Sequence, residues 1–293
     1  MNAVAYYLAL PFIYLLSYSP FWVMYRISDV AFVILYYLIG YRKQVVLNNL
    51  RNSFPEKSEK EIKQICKEFY HYFCDLILET LKTLTISPSS LRKRVRFEEK
   101  DKQVFSRFLQ QDQSVLIVMG HWGNWELAGA RFAVESLHPL YIVYHPLRNP
   151  YFEKLVYHMR TRLGNGLFSM KDTLREMVRH RKESTATAFI ADQTPHNLLT
   201  AFWTEFLGQD TPVFPGPEVI SQKFDYPVIY VGTRRVKRGY YQLHCELLVE
   251  APKETDKKEI TDLHIQRLEK NIRKQPEIWL WTHRRWKHQR PTS

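Results

Sequence analysis

From residue 114 onward, short apolar runs alternate with segments whose apolar positions recur every three or four residues. The runs read as strands at 114–119, 140–144, 185–191, 228–234 and 240–249. The intervening segments read as helices near 125–136, 151–163, 171–181 and 217–223, with a last one at about 257–274 that stops before Pro276. This alternation predicts an α/β fold: a mostly parallel central sheet flanked by helices, finishing in a hairpin through 237–239. Upstream, Ser58 and Glu61 form a capping box. Ile62, Ile65, Phe69, Phe73, Leu76, Ile77 and Leu81 follow at helical spacing, so an amphipathic helix runs to about Leu84 with its apolar face in the core.

The amino terminus follows another pattern. Residues 2–25 carry no charge, and Arg26 is the first charged side chain. The stretch is long enough to span a ~30 Å hydrocarbon layer, kinked at Pro11 and Pro20, and is rich in the aromatic residues that favour a membrane interface. It has neither the basic start nor the small-x-small site of a removed signal peptide. A second apolar run, 30–40, is too short to span unaided. It ends in Tyr41, Arg42 and Lys43, with Arg51 soon after, which places the rest of the chain on the cytoplasmic side. The expected division is a membrane anchor or interfacial segment over 1–43 and a cytoplasmic α/β domain over 44–293. A buried core helix is the alternative for the first part, and whether 30–40 inserts or lies flat stays open.

Charge narrows the partners. Forty-two Lys and Arg against 30 Asp and Glu leave a net +12, which suits nucleic acid, lipid headgroups, phosphorylated lipids or acidic proteins. Cys66 and Cys74 would lie roughly 12 Å apart on one helix, too far to bridge, and Cys245 is the only other cysteine. With no disulfide or zinc spacing, a reducing compartment is expected. The 11 histidines do not cluster as metal ligands, and there is no P-loop, GxGxxG after a strand, HExxH or GxSxG.

The stretch 115–130, VLIVMGHWGNWELAGA, carries the best chemistry. An apolar strand stops at Gly120, His121 follows, Gly123 and Asn124 turn the chain, and a helix starts at Trp125. That places His121 at the carboxyl end of a buried strand, where α/β sheets hold their ligands. Glu126 comes five residues later; on one helix the two would point about 140° apart, so the turn must fold His121 back toward the carboxylate. A His–carboxylate pair of this kind fixes the tautomer and leaves the other ring nitrogen to accept a hydroxyl proton. With 11 His and 30 acids in 293 residues, about one such spacing arises by chance; His264–Glu269 is read as that match and His121–Glu126 as the functional one. The bland alternative for His121 is a turn histidine capping the helix. Asp192 and Gln193 end another strand and should open into the same crevice, unless Asp192 merely forms the turn before Pro195. Of Arg160 and Arg162, two apart on a helix, at most one should reach the crevice. The tail 279–290, WLWTHRRWKHQR, mixes aromatic and basic residues; with an apolar amino terminus it is expected to seat at a bilayer rather than on nucleic acid.

Several blocks, in order, resemble the late acyltransferases of lipid A biosynthesis, the lauroyl/myristoyl transferase family: GHWGNWE, NPYFEKLVYHMRTR, ADQ, GPEVIS, YPVIYV and WTHRRWK. The likeness covers nearly the whole chain, including YRKQVVLNNLRNSFPEKSEKE. In that family the His-x4-acid pair is the acyl-transfer site. The resemblance therefore implies catalytic roles for His121 and Glu126, a substrate-site role for Arg160, and signature positions at Asp192, Gln193 and the His283-Arg284-Arg285 block; Arg162, Asp192, Gln193, Arg284 and Arg285 join Arg160 as the expected substrate-binding residues. It implies acyl transfer from an acyl carrier protein thioester to a hydroxyl of a lipid A precursor at the bacterial inner membrane. No metal, no cofactor beyond the donor thioester and no nucleic acid would be needed. Backbone N–H groups at the helix start would stabilise the oxyanion. Glu218, Asp225 and Tyr226 depart from the residues common in relatives and bear on acceptor and chain length. Two competitors remain: a lysophospholipid or other glycolipid acyltransferase using acyl-CoA, and a non-catalytic basic membrane-binding protein. Acyl length, acceptor position, CoA versus carrier-protein donor and oligomeric state are not set by the sequence.

Overall fold

Five of the apolar runs become strands in the computed structural model, which describes residues 2–135 and 137–290. In chain order, α1 (Asn2–Tyr18) and α2 (Phe21–Val33) come first, α2 running on through a π-helical stretch (Ile34–Ile39). Next are α3 (Lys43–Ser53), α4 (Glu59–Lys82), α5 (Pro88–Arg94), β1 (Val95–Arg96) and α6 (Glu99–Leu109). The α/β part begins with β2 (Val115–Met119), α7 (Trp125–Ala133), β3 (Leu140–Tyr144), α8 (Pro150–Thr161), β4 (Gly166–Ser169), α9 (Thr173–Arg179) and β5 (Ala186–Ile190). It ends with β6 (Phe202–Phe206), β7 (Gln209–Val213), α10 (Gly216–Phe224), β8 (Val228–Lys237), β9 (Tyr240–Val249) and α11 (Glu259–Lys274).

Seven strands form one sheet in the order β1-β9-β8-β2-β5-β3-β4. Every neighbouring pair is parallel except β8–β9, the expected hairpin, which turns through Gly239. The central strand β2 pairs with β5 on one side and β8 on the other, and all five of its side chains are buried. A strand buried on both faces needs an unbroken apolar run, which VLIVM supplies. The Ser58–Glu61 capping box starts α4, and Asn124 and Asn149 cap α7 and α8 through their side-chain oxygens.

Three differences from the sequence pattern have local causes. The uncharged stretch 2–25 is not one helix: Pro20, without an N–H to continue α1, starts α2, which fuses with the run 30–40. On α4, Ile77 is exposed, while Asp75 and Glu79 are buried, because polar partners from α2 and the β8–β9 hairpin reach them. The β6–β7 hairpin and the short β1 and β4 escape an apolar-run reading, since FWTEF and GLFS are short and only partly buried. The expected end of the helix at Ser136 lies outside the described residues.

Candidate active site

Strand β2 carries the chain into a turn where Gly120 is closely packed and Gly123 is required. A Cβ on Gly120 would meet Leu268 at 2.6 Å and Asp192 Oδ2 at 3.1 Å. Gly123 has φ +73°, and a Cβ there would fall 1.7 Å from the Thr233 carbonyl oxygen. Between them sits His121, whose backbone N–H donates to Asp192 Oδ2 at 2.8 Å and whose Nδ1 lies 2.5 Å from Asp192 Oδ1. Asp192 follows β5, the parallel neighbour of β2, so both side chains leave the sheet at the same edge.

Asp192 is buried and also accepts the Trp279 indole N–H at 2.8 Å. Burial opposes its ionisation, but attraction to the His121 ring and the hydrogen bonds from His121 and Trp279 outweigh it. The carboxyl is held well below the usual carboxylate range. An ionised Asp192 can only accept, so His121 Nδ1 carries the proton and Nε2 presents its lone pair. Gln193 Nε2 lies 3.4 Å from that Nε2, and the Trp125 ring packs edge-on to the imidazole at 4.7 Å between centroids.

The acid that holds His121 is thus Asp192, not Glu126. Glu126, in the first turn of α7, faces α8 and is gripped by Arg160 through two hydrogen bonds, Nε to Oε2 at 3.0 Å and Nη2 to Oε1 at 2.5 Å. Burial works against the Arg160 charge, but Glu126 and Glu153 more than restore it, and its pKa is raised. Arg162 turns away as the helix geometry requires and donates to the Thr83 and Ile86 carbonyls. His264 and Glu269 diverge: His264 is buried against β2 and Glu269 accepts from Leu207 N.

The tryptophans of the tail turn inward, while Arg284, Lys287, Gln289 and Arg290 stay exposed. Trp279 and Trp281 are buried, Leu280 N–H donates to the His121 carbonyl, and Trp122 bridges to Trp279 as an isolated β pair. Its aromatic rings have found a core beside the site, so they are not exposed for a bilayer. Arg284 is exposed, and only its backbone reaches the site, where its carbonyl accepts from Thr194 Oγ1. Arg285 is fully buried, its three guanidinium nitrogens have no hydrogen-bond partner among the described residues, and burial draws its pKa down to about 10. His283 Nε2 lies 3.1 Å from Thr194 N and accepts its hydrogen.

His121, Trp125, Glu126, Arg160 and Gln193 all face a cavity of about 390 Å³. Its floor is one face of five adjacent strands, with Ile142 and Tyr144 from β3, Ala188 and Ile190 from β5, Ile117 and Met119 from β2, Val231 from β8 and Cys245 from β9. At ~4.8 Å per strand it extends about 19 Å across the sheet. The roof is α7, where Ala128 and Gly129 leave room, and α8 supplies Val156 and Met159. Leu147 and Met170, both exposed, mark the mouth; Phe97 and Leu243, both buried, mark the deep end. Among the described residues no group of three or more His, Cys, Asp or Glu side chains is placed to hold a metal ion.

The sequence model of the bacterial lipid A biosynthesis acyltransferases matches residues 2–288. The chain belongs to that family. Among characterised proteins it is 25% identical over 284 residues to the lipid A biosynthesis lauroyltransferase of Escherichia coli (strain K12), covering 96% of this chain and 90% of the relative. It is 26% identical over 250 residues to a lipid A biosynthesis acyltransferase of Haemophilus influenzae, covering 84% and 78%.

In this acyltransferase Glu218, Asp225 and Tyr226, which were expected to bear on acceptor and chain length, do not line the cavity. Glu218 is buried and caps α11, accepting from Lys258 N, Thr261 N and Thr261 Oγ1; Asp225 ends α10 in a left-handed turn, and Tyr226 packs on Phe224. Two residues near the site were beyond the sequence reading. The aromatic-basic pattern of the tail predicts a surface position for Trp279, and nothing in the helical pattern of α4 singles out the contacts of Glu79, whose carboxylate accepts from Asn124 Nδ2, Tyr25 OH and Tyr241 OH. An acid at an otherwise apolar helical position was the one available signal for Glu79.

Proposed function

We propose that this acyltransferase moves a fatty acyl group from a carrier thioester to a hydroxyl of a lipid A precursor, with His121 as general base and Asp192 as the acid that orients it. The supporting observation is a single one: an imidazole fixed through Nδ1 by a buried carboxylate, with Nε2 opening into a long apolar cavity. In the proposed step the acceptor hydroxyl gives its proton to Nε2 as its oxygen bonds to the thioester carbonyl carbon. The tetrahedral intermediate collapses, the C–S bond breaks, and the imidazolium returns the proton to the leaving thiolate. The apolar floor and roof take the acyl chain, whose burial contributes ~0.8 kcal/mol per methylene. Glu126 holds Arg160 at the cavity wall, where the guanidinium can meet an acceptor phosphate or the phosphopantetheine of an acyl carrier protein. At the turn, His121 N, Gly123 N and Leu127 N are already bonded within the protein, so the oxyanion is assigned to other donors: the Trp125 and Glu126 N–H groups and the Gln193 amide. No metal or further cofactor enters the step. The protein would work at the cytoplasmic face of the inner membrane, against an anionic bilayer.

His121→Ala, assayed with acyl carrier thioester and lipid acceptor, is expected to lose ~10²–10⁴-fold in turnover. Near-normal turnover rejects the base. Mass spectrometry of lipids from a deletion strain is expected to show a secondary acyl chain missing from lipid A; an altered phospholipid profile instead would move the acceptor to a lysophospholipid.

A further inference from the structure

We infer that the amino-terminal helices lie in the plane of one leaflet, α1 and the helix Phe21–Ile39 both half-sunk in the surface, and that neither crosses the bilayer. The inference rests on the membrane reading above and adds how the protein sits.

By length and composition Phe21–Ile39 is able to cross a membrane. Its contacts argue otherwise. The residue one short of its midpoint, Asp29, is paired with Arg238 at 2.7 Å and His71 at 3.2 Å. One residue before it, Ser28 donates to Asp75 at 2.7 Å, and Tyr25 OH donates to Glu79 at 2.9 Å. A crossing helix would carry these charges, and the β8–β9 hairpin and α4 that supply them, to the bilayer centre, where ionised groups are least tolerated. Arg26, on the outward face, would be drawn in as well. Helix α1 is bound the same way. Lys82 Nζ donates to the Ser17 and Ser19 carbonyls, and Tyr6, Leu10, Ile13 and Tyr14 pack on Leu155 and Met159 of α8. Both helices therefore follow the globular part along their length, and a spanning helix touches its domain at one end only.

The other face of each helix is left exposed among the described residues. Leu8, Phe12 and Leu15 on α1 are each 67% exposed, Trp22 71%, Val30 60% and Leu38 75%. Apart from Arg26 this face is uncharged and flanked by Tyr and Trp, the composition of a helix seated at the headgroup–acyl boundary. Where the Phe21–Ile39 helix ends, Lys60, Lys63 and Lys67 of α4 flank a shallow cleft beside Tyr36, a basic edge that complements anionic headgroups. Helix α8 stands between α1 and the acyl cavity, Met159 touching both. In-plane seating thus puts one wall of the cavity at acyl-chain depth, so a lipid acceptor need not leave its leaflet to reach His121.

The full-length protein with single thiols at Ala3→Cys, Ser19→Cys or Gln44→Cys tests this with a membrane-impermeant maleimide, the unmodified chain giving the background from its own cysteines. In right-side-out vesicles, where the reagent meets only the face opposite the globular part, none of the three is expected to label, although each labels in detergent. Labelling of position 3 or 19 from that face overturns the in-plane arrangement. Spin labels at Leu8, Leu15, Val30 and Leu38 provide a second readout: depths within about 5–10 Å of the headgroups at all four are expected, and a graded series passing through the midplane overturns it. A protein that fails to float with vesicles containing anionic lipid defeats the membrane reading itself. A floating protein that labels from the far side defeats only the seating.

Discussion

At the scale of single residues, the decisive arrangement is which of two acids holds His121. Asp192 bonds the ring and Glu126 bonds Arg160, so their removal should have different signatures. Asp192→Asn takes away the anion that favours the imidazolium and the acceptor that fixes the tautomer. It is expected to lower kcat/KM by ~10²–10⁴-fold and to move the acid limb of its pH profile to lower pH. Glu126→Gln leaves the ring's partner in place and frees Arg160. It is expected to act chiefly through KM, with the acid limb unmoved; a limb that moves with Glu126 and stays with Asp192 reverses the assignment. The histidine itself was legible because an unbroken apolar run followed by Gly-His admits few geometries. Its partner was not, because Glu126 and Asp192 both lie near the carboxyl edge of the sheet. The choice depends on the direction in which α7 leaves the turn, which is set by Gly123 and by distant contacts such as Thr233 and Ile278.

At the scale of elements, the site depends on how α7 is started. Asn124 Oδ1 accepts from Leu127 N at 2.9 Å, and its Nδ2 donates to buried Glu79 at 2.7 Å. The same Glu79 accepts from Tyr25 of α2 and Tyr241 of β9, so the cap of the His121 turn, helix α2 and the sheet edge share one carboxylate. Asn124→Ala removes the cap, worth about 1 kcal/mol, and a donor to a buried acid, worth roughly 1–3 kcal/mol. A loss of ~2–4 kcal/mol is expected in denaturant unfolding, and a loss under ~1 kcal/mol would show that Glu79 does not tie the turn down. The turn at Asn124 was readable from its place before an apolar helix. The bond from Asn124 to Glu79 was not, because residues 79 and 124 meet only once α4 has packed on α7. The tail shows the same limit: aromatic and basic alternation fits an interface or a core equally, and the hydrogen bond from Trp279 to Asp192 decides it.

At the scale of the whole molecule, the carboxyl edge of the sheet, α11 and the tail meet over a group of buried and half-buried imidazoles, and these link stability to pH. Burial lowers the pKa of His244, His264 and His283 to about 4 each. His264 is the cleanest, since it is 2% exposed and its Nε2 has no partner among the described residues. In the fold it is neutral down to about pH 4, whereas in the unfolded chain it takes a proton as the pH falls below its ordinary value of 6.5. The unfolded state therefore gains protons the folded state cannot. Stability is full above about pH 6.5, declines toward pH 4 and levels off below, by roughly 3 kcal/mol for this one ring. Buried Glu79, whose pKa burial raises, works in the opposite sense, so the difference between two proteins is more telling than either curve alone. His264→Asn removes this ring's titration and leaves Glu79 in place. Unfolding free energies from denaturant titrations between about pH 7.5 and about pH 5 are expected to fall less steeply for the variant, by up to ~1.4 kcal/mol per pH unit. Parallel slopes would mean that His264 takes up its proton within the fold.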